Sequence, residues 1–245
     1  MKKLLFWFFI TSCTELLLGS CAEKEETTDA AAVDGSTGTG TTASGTISGI
    51  VNLTGTFNMS LNGDEPSGGC ISNTTVIALF KNQSMAPSDT LGFKQKIIIT
   101  SSTAWAKSLQ WYSDASCATL TGYFNSGYKN ATVGDSLSGL SAGSNPAKPT
   151  TAKKISYNDD FTALKSNTDT TTAFFTTKFG ASTLSTLNFT QGTELNVDDT
   201  DEDQEVNIWE TGTMSVSSKT YLFMGNAHST NYPDNWTNAE VWWQE

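Results

Sequence analysis

Apolar and polar residues alternate through much of residues 46–245, and this two-residue period constrains the fold more than any other feature. A polar residue separates Phe57 from Met59, and another separates Leu109 from Trp111. Alternation of this kind puts the apolar side chains on one face of a β-strand. Residues 46–245 are therefore predicted to form one all-β domain, because barrels and sandwiches of about 200 residues fold as single units.

Further short segments rich in β-branched and aromatic residues are predicted as strands; they are 75–80, 96–100, 206–210, 220–224 and 240–243. A long loop is predicted over 138–154, which contains Pro146 and Pro149. Residues 169–178 are predicted as one short helix that Gly180 ends, or else as a further strand. Strands with one apolar face need a closed or double-layered arrangement. We therefore expect an antiparallel barrel with at most one short helix, and a β-sandwich is the alternative.

The amino-terminal residues have the order of a secretory signal. Lys2 and Lys3 precede the apolar run 4–10, and small residues lead to a cysteine. Leu18-Gly19-Ser20-Cys21 resembles the lipobox of bacterial lipoproteins. In that family the cysteine thiol receives a diacylglyceryl group, the chain is cut before it, and the new amino terminus is acylated, as by palmitate. The resemblance implies a signal peptide over 1–20 and lipid on Cys21.

Two alternatives to this interpretation remain. Cys13 also follows a lipobox-like sequence, but cleavage there would leave an apolar segment of about seven residues, at the short limit for a signal. An ordinary secretory signal or an uncleaved anchor is the other alternative. No later segment approaches the roughly 20 apolar residues of a spanning helix, so the expected membrane attachment is lipid.

Residues 21–45 are predicted to form a flexible tether. They are acidic at first and then rich in Gly, Ser and Thr, so they cannot bury enough apolar surface to offset the entropy of ordering. In the lipoprotein family a residue such as Ala22 after the cysteine, in place of aspartate, is compatible with transfer to the outer membrane. The expected location is therefore the bacterial cell envelope, at the outer membrane.

The charge of the chain excludes some partners. The formal net charge is −11, and all 14 basic residues are lysines. Without arginine the chain lacks the side chain that binds phosphate and carboxylate in a bidentate manner. Phosphate backbones and anionic headgroups repel an acidic chain. Nucleic acid is therefore not an expected partner, and attachment to a membrane is expected to depend on lipid and not on charge.

Two cysteines remain once the signal is removed and Cys21 carries lipid. Cys70 and Cys117 would then lie in an oxidising compartment, where disulfides persist. They are predicted to pair, and the chain-entropy model gives a stabilisation of about 4 kcal/mol for a loop of this length. The alternatives are two free thiols or a zinc site with His228, which would be short of ligands.

Several short motifs across residues 53–245 occur in the same order as in a group of bacterial lipoproteins. They are Gly55-Thr56-Phe57, Cys70, the segment from Trp111 to Cys117, Tyr221-Leu222-Phe223-Met224-Gly225 and Val241-Trp242-Trp243. The chain thereby resembles lipoproteins with lipocalin-like domains, which implies a β-barrel in which the two cysteines join an early strand to a middle one. Lipocalins themselves have tryptophan where Phe57 stands and a late arginine, so no ligand-binding residue can be carried over.

One motif resembles a catalytic signature. Gly134-Asp135-Ser136-Leu137 matches the first block of the GDSL hydrolases, in which the serine is the nucleophile. That family is α/β and has a late Asp-x-x-His, whereas here Gly225 stands three residues before His228. The favoured interpretation is a glycine-flanked turn, with His228 in a solvated loop. An esterase using Ser136 and His228 is kept as a remote alternative, and no enzyme activity is predicted.

Six carboxylates lie within residues 198–205. The alternation of Asp199, Asp201 and Asp203 offers the oxygen ligands that calcium prefers. The segment lacks the glycine and the final glutamate of an EF-hand. A solvated acidic loop is the favoured interpretation and calcium a weak alternative, so no metal or cofactor is predicted.

Adjacent Trp242 and Trp243 must face opposite sides of a strand. One is expected in the core and the other towards solvent, a ligand or a partner. Together the observations predict a non-catalytic, lipid-anchored protein, and an eight-stranded barrel can hold one small apolar ligand. The alternative is a surface interaction or adhesion module whose barrel is filled with side chains.

Overall fold

The computed structural model describes residues 43, 45–51, 53–61, 65–142, 147–199, 203–213, 218–236 and 239–245. The predicted signal peptide, Cys21 and most of the predicted tether lie outside the described residues. Nine strands are present in the described part of the chain: β1 (Thr56–Met59), β2 (Gly92–Ile99), β3 (Trp105–Tyr112), β4 (Leu120–Ser138), β5 (Thr151–Ser166), β6 (Leu195–Asp198), β7 (Gln204–Thr213), β8 (Thr220–Met224) and β9 (Glu240–Gln244).

Eight of these strands form a closed ring of antiparallel pairs. The order around the ring is β1–β2–β3–β4–β5–β7–β8–β9, and β9 pairs again with β1. The closing pair places Phe57 opposite Gln244 and Met59 opposite Trp242. The prediction of an antiparallel all-β fold is confirmed, and the ring of pairings makes that fold a barrel.

β5 has two partners on one edge. Its residues 153–158 pair with β7 and its residues 161–164 pair with β6, so β6 lies in line with β7. On its other edge β5 pairs with β4 along almost its full length. Because β3 pairs with β4 only as far as Tyr128, β4 continues well past the end of β3. The loop predicted over 138–154 is shorter in the structure, since β5 already begins at Thr151.

Residues 75–80 form a helix and not the predicted strand. α1 (Thr74–Asn82) begins after Asn73, whose side-chain oxygen accepts hydrogen bonds from two backbone N–H groups of the first turn. The buried side chains of Val76 and Phe80 are four residues apart, which is the spacing of a helix face. The prediction failed because it weighed the β-branched residues above the N-cap that precedes them.

The helix predicted over 169–178 is confirmed. α2 (Asp169–Phe179) begins after Thr168, whose hydroxyl accepts a backbone N–H of the first turn, and it ends at Gly180 with a φ of 83°. α3 (Ala181–Thr186) follows directly. The described chain therefore has three α-helices where at most one was predicted.

Apolar residues cover both ends of the barrel. At one end Phe80 of α1 stacks on Phe93 with ring centroids 4.3 Å apart, and Phe174 of α2 meets the Trp111 ring at 5.3 Å. At the other end residues 45–51 and 53–54 lie against the sheet, and the backbone N–H of Gly45 donates a hydrogen bond to Ile99 of β2. The side chains that this segment buries are Ile47, Ile50 and Leu53.

The last strands carry apolar residues on both faces. Trp242 belongs to the core inside the barrel, and Trp243 belongs to an outer cluster that also contains Trp236. The predicted opposite orientation of the two tryptophans is confirmed. Trp243 is nevertheless only 4 % exposed, because neighbouring side chains cover it, and the Lys219 ammonium lies 3.9 Å from its ring centroid.

The sulfur atoms of Cys70 and Cys117 lie 2.07 Å apart, at disulfide-bonding distance. The pair joins the segment before α1 to the turn between β3 and β4. The Asp114 carboxylate organises this turn by accepting hydrogen bonds from the backbone N–H groups of Ala118 and Thr119. Burial by itself raises the pKa of Asp114, but these bonds and one from the Ser116 hydroxyl outweigh it and hold that pKa well below its ordinary value.

Candidate functional site

Two side chains of opposite charge meet inside the barrel. The Nζ atom of Lys107, on β3, lies 2.6 Å from Oε1 of Glu240, on β9. Since β1 and β2 lie between these strands in the sheet, the side chains can meet only across the interior. The Lys107 ammonium also lies 5.3 Å from the ring centroid of Trp242, within range of a cation–π interaction. The two side chains are 14 % and 9 % exposed, so solvent reaches the pair.

Glu205 adds a second carboxylate to this interior group. It lies on β7 opposite Tyr157 of β5, and its carboxylate accepts a hydrogen bond from the Tyr157 hydroxyl. Burial raises the pKa of Glu205, whereas the bond from Tyr157 and the charge of Lys107 act to lower it. The charge of Asp203 raises it further. Glu205 is therefore a buried acid whose protonation depends on the charges beside it.

Tyr128 and Tyr157 supply two buried hydroxyl groups. Burial raises the pKa of both well above the ordinary value, and the charge of Glu205 raises each further. A hydrogen bond with Asn207 acts in the opposite direction on Tyr157. Both hydroxyls consequently stay protonated near neutral pH and can donate hydrogen bonds.

Aromatic rings fill the barrel on one side of the charged group. Trp105 stacks on Tyr128 with ring centroids 3.9 Å apart, and it meets Trp209 edge to face at 4.9 Å. The Tyr157 ring meets Trp105 edge to face at 5.1 Å. Trp105 and Trp209 come from β3 and β7, which have two strands between them, so their contact also crosses the interior. Side chains therefore occupy this part of the barrel.

Several indole N–H groups in the interior have no hydrogen-bond partner among the described residues. They belong to Trp105, Trp111, Trp209 and Trp242, all of which are buried. A buried donor without an acceptor costs about 1–3 kcal/mol, and native proteins leave few such groups unmet. The interior therefore offers hydrogen-bond donors to a bound molecule or to water.

Replacing Glu205 should change how stability depends on pH. Because burial raises the pKa of Glu205 above its ordinary value of 4.5, the folded state favours the protonated carboxyl. The resulting stability is fully present below pH 4.5 and is lost as the pH rises through the raised value. In guanidinium unfolding from pH 4 to pH 8, Glu205→Gln should therefore become progressively more stable relative to the unsubstituted protein.

The matched control for this experiment is Glu210→Gln, on the opposite face of the same strand. It removes a carboxylate from the same strand outside the interior group, so the change specific to Glu205 is the difference between the two variants. A difference in unfolding free energy between Glu205→Gln and the unsubstituted protein that does not vary with pH would contradict the assignment of Glu205 as a buried titrating acid.

Two of the three acidic residues considered for calcium, Asp199 and Asp203, lie against β5. The backbone N–H of Asp199 donates to the carbonyl of Asp160 at 2.7 Å, and the carbonyl of Asp203 accepts from the N–H of Asp159 at 3.2 Å. Asp201 lies outside the described residues. Within the described ranges, no group of three or more His, Cys, Asp or Glu side chains is arranged to hold a metal ion.

Ser136 and His228 are not brought together. Ser136 lies on β4 opposite Lys153 of β5, and His228 forms a backbone bridge with Val206 of β7. β5 and β7 thus lie between them, and three strand spacings of about 4.8 Å separate their backbones by roughly 14 Å. A serine and its base need a hydrogen bond of about 3 Å. Residues 134–137 are part of β4 and do not form the predicted turn.

Sequence reasoning missed the charged interior group. Lys107 lies two residues from both Trp105 and Leu109, and Glu240 lies two residues before Trp242, so each charged residue shares a strand face with core residues. A charged residue at a position where the alternation calls for an apolar one indicates a charge inside the barrel, since alternate side chains share one face. What the pattern does not give is the identity of the partner across the barrel.

Neither a scan against protein-family models nor a search of curated proteins finds a match to this chain. The function has to be argued from the site, because a barrel alone does not define an activity. In the described part of the chain, no helix combines the length and the apolar character needed to cross a membrane.

Proposed function

We propose that this chain is a non-catalytic binding protein of the bacterial cell envelope. Lipid on Cys21 holds it at the outer membrane, and a small ligand enters the barrel at the group formed by Lys107, Glu205 and Glu240. The observation that carries the binding proposal is an ion pair reached by solvent within an aromatic interior. Stability alone would be served as well by apolar side chains, because buried ion pairs contribute little net stability.

The ligand has an apolar body and a polar head. The rings of Trp209 and Trp242 supply apolar faces, and their unpartnered N–H groups supply donors. A purely apolar molecule would leave these donors and the charges unmet, so an amphipathic ligand fits better than the apolar one expected from the sequence. Since stacked rings already fill the interior around Trp105, a ligand that enters beside the ion pair has to be small.

Two observations support placement in the cell envelope. Residues 1–21 have the order of a lipoprotein signal, with Cys21 at the position that carries lipid. Cys70 and Cys117 lie at disulfide-bonding distance, and disulfides persist in oxidising compartments outside the cytoplasm. The separation of Ser136 from His228 supports a role without catalysis, because the remote esterase alternative needs them in contact.

A surface interaction module is the second candidate. The observation that favours it is the filling of the interior around Trp105, together with the apolar covers at both barrel ends. In that case the barrel would be a solid scaffold, and the outer face would meet the partner. The two candidates differ in whether any molecule enters the barrel.

Cys21→Ala should abolish attachment of lipid. Labelling with radioactive palmitate should fall to background. In a Triton X-114 partition the variant should be found in the aqueous phase, because it lacks the acyl chains that hold the unsubstituted protein in the detergent phase. The matched control is Cys13→Ala, which should leave labelling unchanged. Labelling that survives Cys21→Ala would show that another group carries the lipid.

Ligand entry should alter the fluorescence of Trp242 and leave that of Trp243 unchanged. The two neighbours have the same chemistry but lie in the inner and outer clusters. In titrations with small amphipathic molecules, Trp242→Phe should reduce the fluorescence change, and Trp243→Phe should preserve it. If no molecule produces a saturable change in the unsubstituted protein, ligand binding is refuted and the interaction module is favoured.

A further inference from the structure

Carboxylates outnumber cations around the two interior tyrosines. Lys107 is the one cation within the described residues that acts on Glu205. Lys153, which shares the inner face of β5, lies nearer the barrel end, opposite Trp209. The carboxylates whose charges reach Tyr128 are those of Glu205, Asp159 and Glu240.

Lys107 already forms an ion pair with one of these carboxylates, that of Glu240. Its ammonium lies 2.6 Å from Glu240 and 5.3 Å from the Trp242 ring centroid. The Lys107 ammonium thus shows how a cation can lie between a carboxylate and an aromatic face in this interior. Among the described residues no ion pair includes Glu205, which accepts a hydrogen bond from Tyr157 instead. The interior therefore contains a second carboxylate beside aromatic rings without a cation of its own.

We propose that Glu205 binds a small organic cation, a primary amine or a quaternary ammonium ion, against the aromatic rings of the barrel interior. The inference rests on the proposed function and specifies the charge of its ligand. The faces of tryptophan and tyrosine attract cations, most strongly where water is excluded. A buried carboxylate gains more from a paired cation than an exposed one does, because solvent screens it less. A fatty acid would bind poorly, since its carboxylate would meet both Glu205 and Glu240.

The rest of the ligand carries a hydrogen-bond acceptor. An ammonium group has donors only, so it cannot satisfy the unpartnered indole N–H groups of Trp105 and Trp209. A hydroxyl or carbonyl oxygen on the same molecule would satisfy them. A small amine with one such oxygen therefore matches the interior better than a simple alkylamine.

Three probes that carry the same phenethyl group and differ in the charge of the head group test the proposal. They are phenethylamine, 2-phenylethanol and 3-phenylpropionate, titrated at pH 7.5 into the purified protein and followed by tryptophan fluorescence and calorimetry. The amine should bind at least tenfold more tightly than the alcohol, and the anion should not bind. Glu205→Gln should weaken binding of the amine about tenfold and leave the alcohol unchanged, and the control Glu210→Gln should change neither.

The outcomes separate this inference from the proposed function. If the anion or the alcohol binds as tightly as the amine, or if Glu205→Gln leaves the amine affinity unchanged, the cation proposal is overturned while ligand binding stands. If neither the three probes nor a fatty acid binds, both the cation proposal and the proposed ligand binding are refuted. Should Glu205→Gln fail to fold, as judged by circular dichroism, the order of the three probes in the unsubstituted protein decides the question.

Discussion

Lys107→Met should lower the free energy of unfolding by about 3 kcal/mol, the lower end of what removing one partner of a buried ion pair costs. The substitution keeps most of the apolar length of the side chain but leaves Glu240 and Glu205 in the interior without a neighbouring cation. The lower end applies because solvent reaches the pair. Guanidinium unfolding followed by tryptophan fluorescence measures the loss.

A second substitution separates the charge from the packing. Lys107→Met combined with Glu240→Leu should be more stable than Lys107→Met alone, because the uncompensated carboxylate is gone. The matched control is Lys129→Met, which breaks a surface pair with Asp160 at 3.4 Å and should cost less than about 1 kcal/mol. Equal losses for the Lys107 and Lys129 variants would show that the interior pair is not desolvated as described.

Removing the disulfide should produce the other large loss. Cys70→Ala with Cys117→Ala frees a loop whose ends are 47 residues apart in sequence, and the chain-entropy model gives about 4 kcal/mol. For a domain of this size the melting temperature should fall by roughly 10 °C. Thermal and guanidinium unfolding curves of the two proteins measure the difference.

Reduction of the unsubstituted protein gives an independent check on this result. Its unfolding midpoint under a phosphine reductant should match that of the double alanine variant, because both lack the same cross-link. Mass spectrometry of the oxidised protein after thiol alkylation should detect no modified Cys70 or Cys117. Coincident unfolding curves for the oxidised protein and the alanine variant would refute a stabilising disulfide.

Strands with a clean two-residue period were predictable from the sequence. β3 contains the predicted pair Leu109 and Trp111, and β8 and β9 lie where their aromatic runs predicted them. The pattern also placed Ile208 and Trp209 on opposite faces. It could not say which of the two faces inwards, because both residues are apolar and both are buried, one in each cluster.

α1 was not predicted, because its residue composition favours a strand whereas the N-cap residue before it favours a helix. Val76 and Ile77 favour a strand by propensity, whereas Asn73 caps a helix and Phe80 continues its buried face. Packing of Phe80 on Phe93 resolves the conflict in favour of the helix. Tertiary contacts of this kind are not visible in a single sequence, so propensity alone gave the wrong element.

The candidate site was the least predictable part of the molecule. Lys107 and Glu240 are 133 residues apart in sequence, and they meet only because the ring of strands is closed. The alternation along each strand does predict that both side chains lie on the same face as the apolar core residues. Which strands lie across from one another depends on the strand order and on the registers, and those follow from the assembled sheet.

Short connections join β2 to β3, β3 to β4 and β7 to β8. β1 and β9, by contrast, are the first and last strands of the described chain, and they pair directly, with Met59 opposite Trp242. Contacts between distant parts of a chain form slowly, because the entropy of closing a long loop must be overcome before they stabilise anything. Until that pairing forms, the molecule is an open sheet with two edges free to join a second copy. Aggregation during refolding therefore competes with this late step, and dilution should favour folding over aggregation.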